Sequence, residues 1–99
     1  MAALYAFEYD THALRAAANK LKQCAQRLSS DAKPKIGKIR GAVDDNLEGR
    51  AAEVLMQRII ELDGDVSGTV NSLNNLAGTL LRYAADLERM ARELRARMT

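Results

Sequence analysis

Asn46–Leu47–Glu48–Gly49–Arg50–Ala51–Ala52–Glu53, close to the middle of the 99-residue chain, decides how the rest is read. It is turn-like, and on either side of it lies a long segment whose apolar residues recur at heptad-like spacing. A breaker between two such segments predicts an antiparallel two-helix hairpin, all-α and coiled-coil-like. The turn is expected over about 45–50, with helix one over about 11–44 and helix two over about 51–97.

Upstream of the turn, Leu14, Ala18, Leu21, Ala25, Leu28 and Ala32 step by four and three and form one stripe. The repeat then slips, because it resumes at Ile36, Ile39 and Val43, one residue late. Ser29–Ser30–Asp31 and Pro34 fall at the same place, and proline inside a helix removes a hydrogen bond and clashes with the preceding turn. A kink or short break is expected near residues 29–35, with Asp31 able to cap a restarted helix. Asp10 and Thr11 are good capping types for the start of helix one.

Downstream, Leu55, Ile59, Leu62, Val66, Thr69, Leu73, Leu76, Leu80, Tyr83, Leu87, Met90 and Leu94 alternate by four and three. Such a repeat signals left-handed supercoiled packing along a helix of roughly 70 Å. Gly64 and Gly68 weaken it locally, and folding back at the turn brings them near residues 28–34. Met56, Ile60, Val70, Ala77, Leu81, Ala84 and Met98 lie outside this stripe. A hairpin alone would not bury both sets. A second helical surface is therefore expected to cover Met56, Ile60, Leu76 and Leu81.

The first ten residues differ from the rest. Tyr5, Phe7 and Tyr9 alternate, so residues 1–10 are expected to form an extended aromatic arm that either covers helix ends or docks on a partner. Residues 11–99 then make a single domain. Its apolar content is 47% but only 4% is aromatic, which favours helices with a thin seam over a globular core. A net charge of +2 does not create the field of a dedicated nucleic-acid binder. The lone Cys24 excludes an internal disulfide and reads as a small packed hydrophobe. No run reaches the roughly 18 apolar residues of a membrane span, so no membrane insertion is expected. MAALYAFEYD lacks the basic start and long apolar core of a signal peptide, so Sec-dependent export is not expected.

Catalytic constellations, metal spacings and cofactor motifs are not found, and no enzyme activity is expected. His12 is the only histidine and matches no triad or ligand spacing. Asp44, Asp45, Glu48 and Glu53 suit the neighbourhood of a helix start and lack the regular spacing of a calcium loop. The six arginines Arg58, Arg82, Arg89, Arg92, Arg95 and Arg97 are interleaved with Asp86, Glu88 and Glu93, as on a solvated face.

The hairpin resembles the small WXG-type proteins of type VII (early-secreted-antigen-type) secretion over nearly its whole length. Asp10 followed by Ala13–Leu14–Arg15–Ala16–Ala17–Ala18 is similar to the family start. Leu47–Glu48–Gly49 followed by Ala51–Ala52–Glu53 resembles the central W-x-G, with Leu47 standing where the family has tryptophan. The family's C-terminal export signal, Tyr-x-x-x-Asp/Glu, meets the region Tyr83, Asp86, Leu87 and Glu88: Leu87 holds the acidic place, Asp86 comes one residue early, and a looser apolar-x-x-x-acidic form fits Ala84 and Glu88.

What the resemblance implies is a non-enzymatic partner or targeting protein. It would form a four-helix bundle with an effector N-terminal domain, such as that of an LXG-type toxin, or with a second copy of itself. The bundle would be read by the secretion ATPase and held in the bacterial cytoplasm before signal-peptide-independent export. The competing expectation is a cytosolic coiled-coil adaptor, or a nucleoid-associated hairpin that contacts DNA phosphates through Arg89, Arg92 and Arg95.

Overall fold

The computed structural model describes the backbone of residues 2–98 and the side chains of residues 10–98. It is all-helical: α1 spans Ala2–Arg27, a π-helical turn spans Leu28–Ala32, α2 spans Lys33–Asn46 and α3 spans Gly49–Met98. Leu47 and Glu48 alone, among the described residues, lie outside helix. The turn is thus tighter than the six residues that the sequence suggests. Leu47 turns extended at φ −124° and ψ 144°, and its N–H closes the last turn of α2 on the Val43 carbonyl at 3.0 Å. Gly49 opens α3 at φ +82°, a conformation glycine adopts without the steric cost an L side chain would meet.

Two differences from the sequence reading concern helix one. α1 begins at Ala2, so the aromatic segment is helical rather than extended. Ala2, Ala3, Leu4, Ala6 and Glu8 are strong helix formers, and three alternating aromatics are too short a pattern to override them. Thr11 consequently lies inside the helix and is no cap.

The slip near Pro34 produces a π turn and no break. Lys33 N–H bonds to the Leu28 carbonyl five residues back, and the backbone stays right-handed helical at Arg27, Ala32 and Lys33. A strict heptad would place the residue after Leu28 at position 35, but the apolar residue is Ile36. A π turn absorbs that one extra residue, so Ile36 and Val43 return to the buried face. Pro34 stands in the first turn of α2, where its missing N–H is least costly, and Asp31 caps nothing. α3 runs unbroken through Gly64 and Gly68.

The chain divides into two compact units, Cys24–Ser72 and Met1–Gln23 with Leu73–Thr99. In the first, α2 and the start of α3 share a cluster of Ile36, Val43 and Ile59, with Met56 and Val66 packed against it. Lys33 reaches across to α3, pairing with Asp63 at 2.9 Å and donating to the Ser67 hydroxyl at 2.6 Å. The residues flanking the π turn therefore lie beside the Gly64–Gly68 stretch.

In the second unit the buried face is built from alanine. Ala18 of α1 and Ala77, Ala84 and Ala91 of α3 are buried, while Leu73, Leu80, Leu87 and Leu94 between them are half-buried. Small side chains let helix axes approach toward the lower end of the usual 8–10 Å range. Arg15 of α1 and Glu88 of α3 form an ion pair at 2.7 Å along one edge.

Candidate functional site

The seam of α3 differs from the leucine-rich stripe in every other position. Both share Ile59, Val66, Leu73, Leu80, Leu87 and Leu94. Between them the covered residues are Met56, Asp63, Val70, Ala77, Ala84 and Ala91, whereas Leu55, Leu62, Thr69, Leu76, Tyr83 and Met90 are exposed. Hydrophobicity favours Leu, Tyr and Met for a seam. Close helix packing favours small residues, and packing prevails at Ala77, Ala84 and Ala91.

The consequence is a displaced apolar row. In the Cys24–Ser72 unit, Leu55 and Leu62 are exposed one heptad apart. In the other unit, Leu76, Tyr83 and Met90 repeat at the same interval and are 50%, 58% and 45% exposed. Each occupies the position immediately before a buried seam residue, which is where a helix of a bundle carries its third apolar position.

The residues expected to meet a partner are therefore split. Met56 packs on the Ile36–Val43–Ile59 cluster and belongs to the intrachain core. Leu81 is half-buried, Ile60 is exposed, and Leu76 falls in the exposed row. Tyr83 and Met90, assigned from sequence to the seam, lie instead in the exposed row with Leu76. Their signal was present in the alanines one position later.

The turn motif is open. Leu47 is 47% exposed and lines a cavity of about 320 Å³ with Val43, Ala52, Met56 and Ile60. It does not plug the helix ends, and Glu48 and Gly49 are exposed. Around the C-terminal signal region, Tyr83 is exposed, Leu87 is half-buried, Asp86 pairs with Arg89 one turn on at 3.6 Å, and Glu88 is held by Arg15. Glu88 and Tyr83 thus have different surroundings, one clamped and one open.

Cys24 is exposed, where the sequence suggests a packed residue. No group of three or more His, Cys, Asp or Glu among the described residues is arranged to hold a metal ion. Among those residues no helix is long and apolar enough to cross a membrane. No protein-family model, curated protein or solved structure matches the chain.

Proposed function

We propose that the chain is a non-enzymatic partner protein of type VII secretion, folded as an antiparallel helical hairpin that completes a four-helix bundle with a second hairpin. The observation that carries this reading is the exposed row Leu76, Tyr83 and Met90 beside a seam of alanines. Burying an alanine methyl contributes only about 0.8 kcal/mol, whereas a fully buried Leu or Met contributes roughly 1.5–3 kcal/mol. The chain thus spends its smallest side chains on its own seam and leaves larger ones to solvent. Four-helix bundles need this third apolar position and two-stranded coiled coils do not.

The partner is the N-terminal helical domain of a secreted effector or a second copy of the chain. The secretion ATPase reads the assembled surface near Tyr83, and the pair is held in the bacterial cytoplasm until export. Its class rests on the likeness of Leu47–Glu48–Gly49 and the α1 sequence to the WXG-type pattern.

Co-expression with the helical proteins encoded beside it, followed by affinity purification, tests the reading. A stoichiometric complex lost on Tyr83→Lys with Met90→Lys supports it. Recovery of the chain alone from every combination argues against it.

A further inference from the structure

An apolar cavity stays open at the turn of the Cys24–Ser72 unit. It measures about 320 Å³, at the lower end of the roughly 300–1,000 Å³ typical of ligand pockets. Leu47, Ala52, Met56 and Ile60 supply its apolar wall, and Leu47 and Ile60 remain 47% and 43% exposed. Exposed aliphatic residues scattered singly are ordinary, but these two converge on one cavity.

Charge around the cavity is one-sided. Asp44 and Glu53 line it, and no cation does. Between positions 44 and 53 stand Asp44, Asp45, Glu48 and Glu53 against Arg50 alone, in a chain whose net charge is +2. All four carboxylates are exposed, and none makes an ion pair among the described residues. Glu48, immediately before α3, is favoured by the dipole of that helix. Asp44 and Asp45 stand in the last turn of α2, where the dipole disfavours negative charge, and no basic residue of that turn offsets them. The stability of α2 gives no reason for the two aspartates.

We propose that this cavity seats a helix of another protein that presents one large apolar side chain flanked by arginine or lysine. The apolar side chain fills the cavity against Leu47, Met56 and Ile60, and the neighbouring cations meet Asp44 and Glu53. Amphipathic helices dock in this way, with anchors three and four residues apart entering an apolar groove and charges beside them setting partner and register. The four carboxylates repel an acidic helix, and they repel nucleic acid and anionic lipid for the same reason. The site uses none of Leu76, Tyr83 and Met90, and it is independent of the secretion reading.

Amide chemical-shift mapping of the isotope-labelled full chain with two synthetic helical peptides tests the proposal. One peptide carries leucines along one face with arginines beside them, and the other has glutamate at every arginine position. The arginine peptide should bind saturably, shift the amides of Leu47, Ala52, Met56 and Ile60, and weaken as salt rises. The glutamate peptide should bind at least tenfold more weakly. Asp44→Asn with Glu53→Gln should weaken the arginine peptide at least tenfold. Glu61→Gln with Asp65→Asn, carboxylates that do not line the cavity, should leave its binding unchanged. Leu47→Trp fills the cavity and should cut binding at least tenfold without lowering the melting temperature, which separates blockage from unfolding. No saturable shift overturns the proposal. So do shifts confined to Leu76, Tyr83 and Met90, equal binding of the two peptides, or binding weakened as much by the Glu61 and Asp65 changes. Tip shifts on simple dilution of the chain would also overturn it, because a second copy would then already occupy the cavity.

Discussion

Arg15 grips a single oxygen of Glu88 with two nitrogens, Nε at 2.9 Å and Nη2 at 2.7 Å, across 73 positions of sequence. The pair joins α1 to the C-terminal part of α3 within one unit, and it holds the acidic residue of the region expected to carry an export signal. Both side chains are well solvated, at 45% and 38% exposure, so the attraction is strongly screened. A double-mutant cycle with Arg15→Ala and Glu88→Ala should give a coupling of about 0.2–1 kcal/mol that fades toward 1 M salt. A coupling well above that range would mean the pair is desolvated by something bound over it.

Lys33 and Asp63 are a different case. Asp63 occupies the seam of α3 among Met56, Ile59, Val66 and Val70, where an apolar residue would pack. Its carboxylate takes Lys33 at 2.9 Å, and both are partly exposed at 33% and 40%. Asp63→Ala strands the ammonium and should cost about 1 kcal/mol after allowance for solvent screening. Replacing both partners, Lys33→Met with Asp63→Leu, should leave the chain at least as stable as the parent. Urea midpoints at constant slope decide this. A double variant less stable than the parent would contradict it.

The all-helical class and the position of the turn were legible in the sequence. Periodicity is strong on both sides of Leu47–Glu48, and Gly49 marks the one place among the described residues where the backbone needs a positive φ. The slip between Leu28 and Ile36 was legible too, but its outcome was not. A one-residue excess can be absorbed by a break, a bulge or a π turn, and only packing on α3 selects among them. The seam was half legible. Ile59, Val66, Leu73 and their successors are apolar under any scale, but Ala77, Ala84 and Ala91 are outweighed by Leu76, Tyr83 and Met90 unless backbone approach is considered. Leu47 followed the same pattern, since its place at the turn was clear and its incomplete burial was not.

The π turn makes the register argument testable. Deleting Ser30 restores seven-residue spacing between Leu28 and Ile36, so an unbroken α-helix then suffices. The deletion should keep thermal stability within about 1 kcal/mol of the parent, because no buried contact is lost. Inserting one alanine after Ser30 instead rotates Ile36 and Val43 by about 100° off the face and should cost several kcal/mol. Equal effects of deletion and insertion would remove the register explanation.

At the turn, half-exposed Leu47 sets a modest limit on what truncation removes. Leu47→Ala should cost about 1 kcal/mol, below the roughly 2–5 kcal/mol of a fully buried leucine. Leu47→Trp has room to grow into the cavity of about 320 Å³ beside it and should stabilise the chain. Chemical denaturation of both variants measures these effects, and a destabilising tryptophan would show that the cavity is not available to a larger side chain.

Leu76, Tyr83 and Met90 carry the central claim, that a second helical surface covers this row. Sedimentation equilibrium of the full chain, alone and mixed with the helical proteins encoded beside it, measures this directly. The parent should form a dimer or a one-to-one complex. The variant with Leu76→Lys, Tyr83→Lys and Met90→Lys should stay monomeric with unchanged helicity, because these side chains leave the alanine seam untouched. A parent that remains monomeric in every mixture up to roughly 100 µM, or a triple variant that associates as the parent does, would contradict the claim.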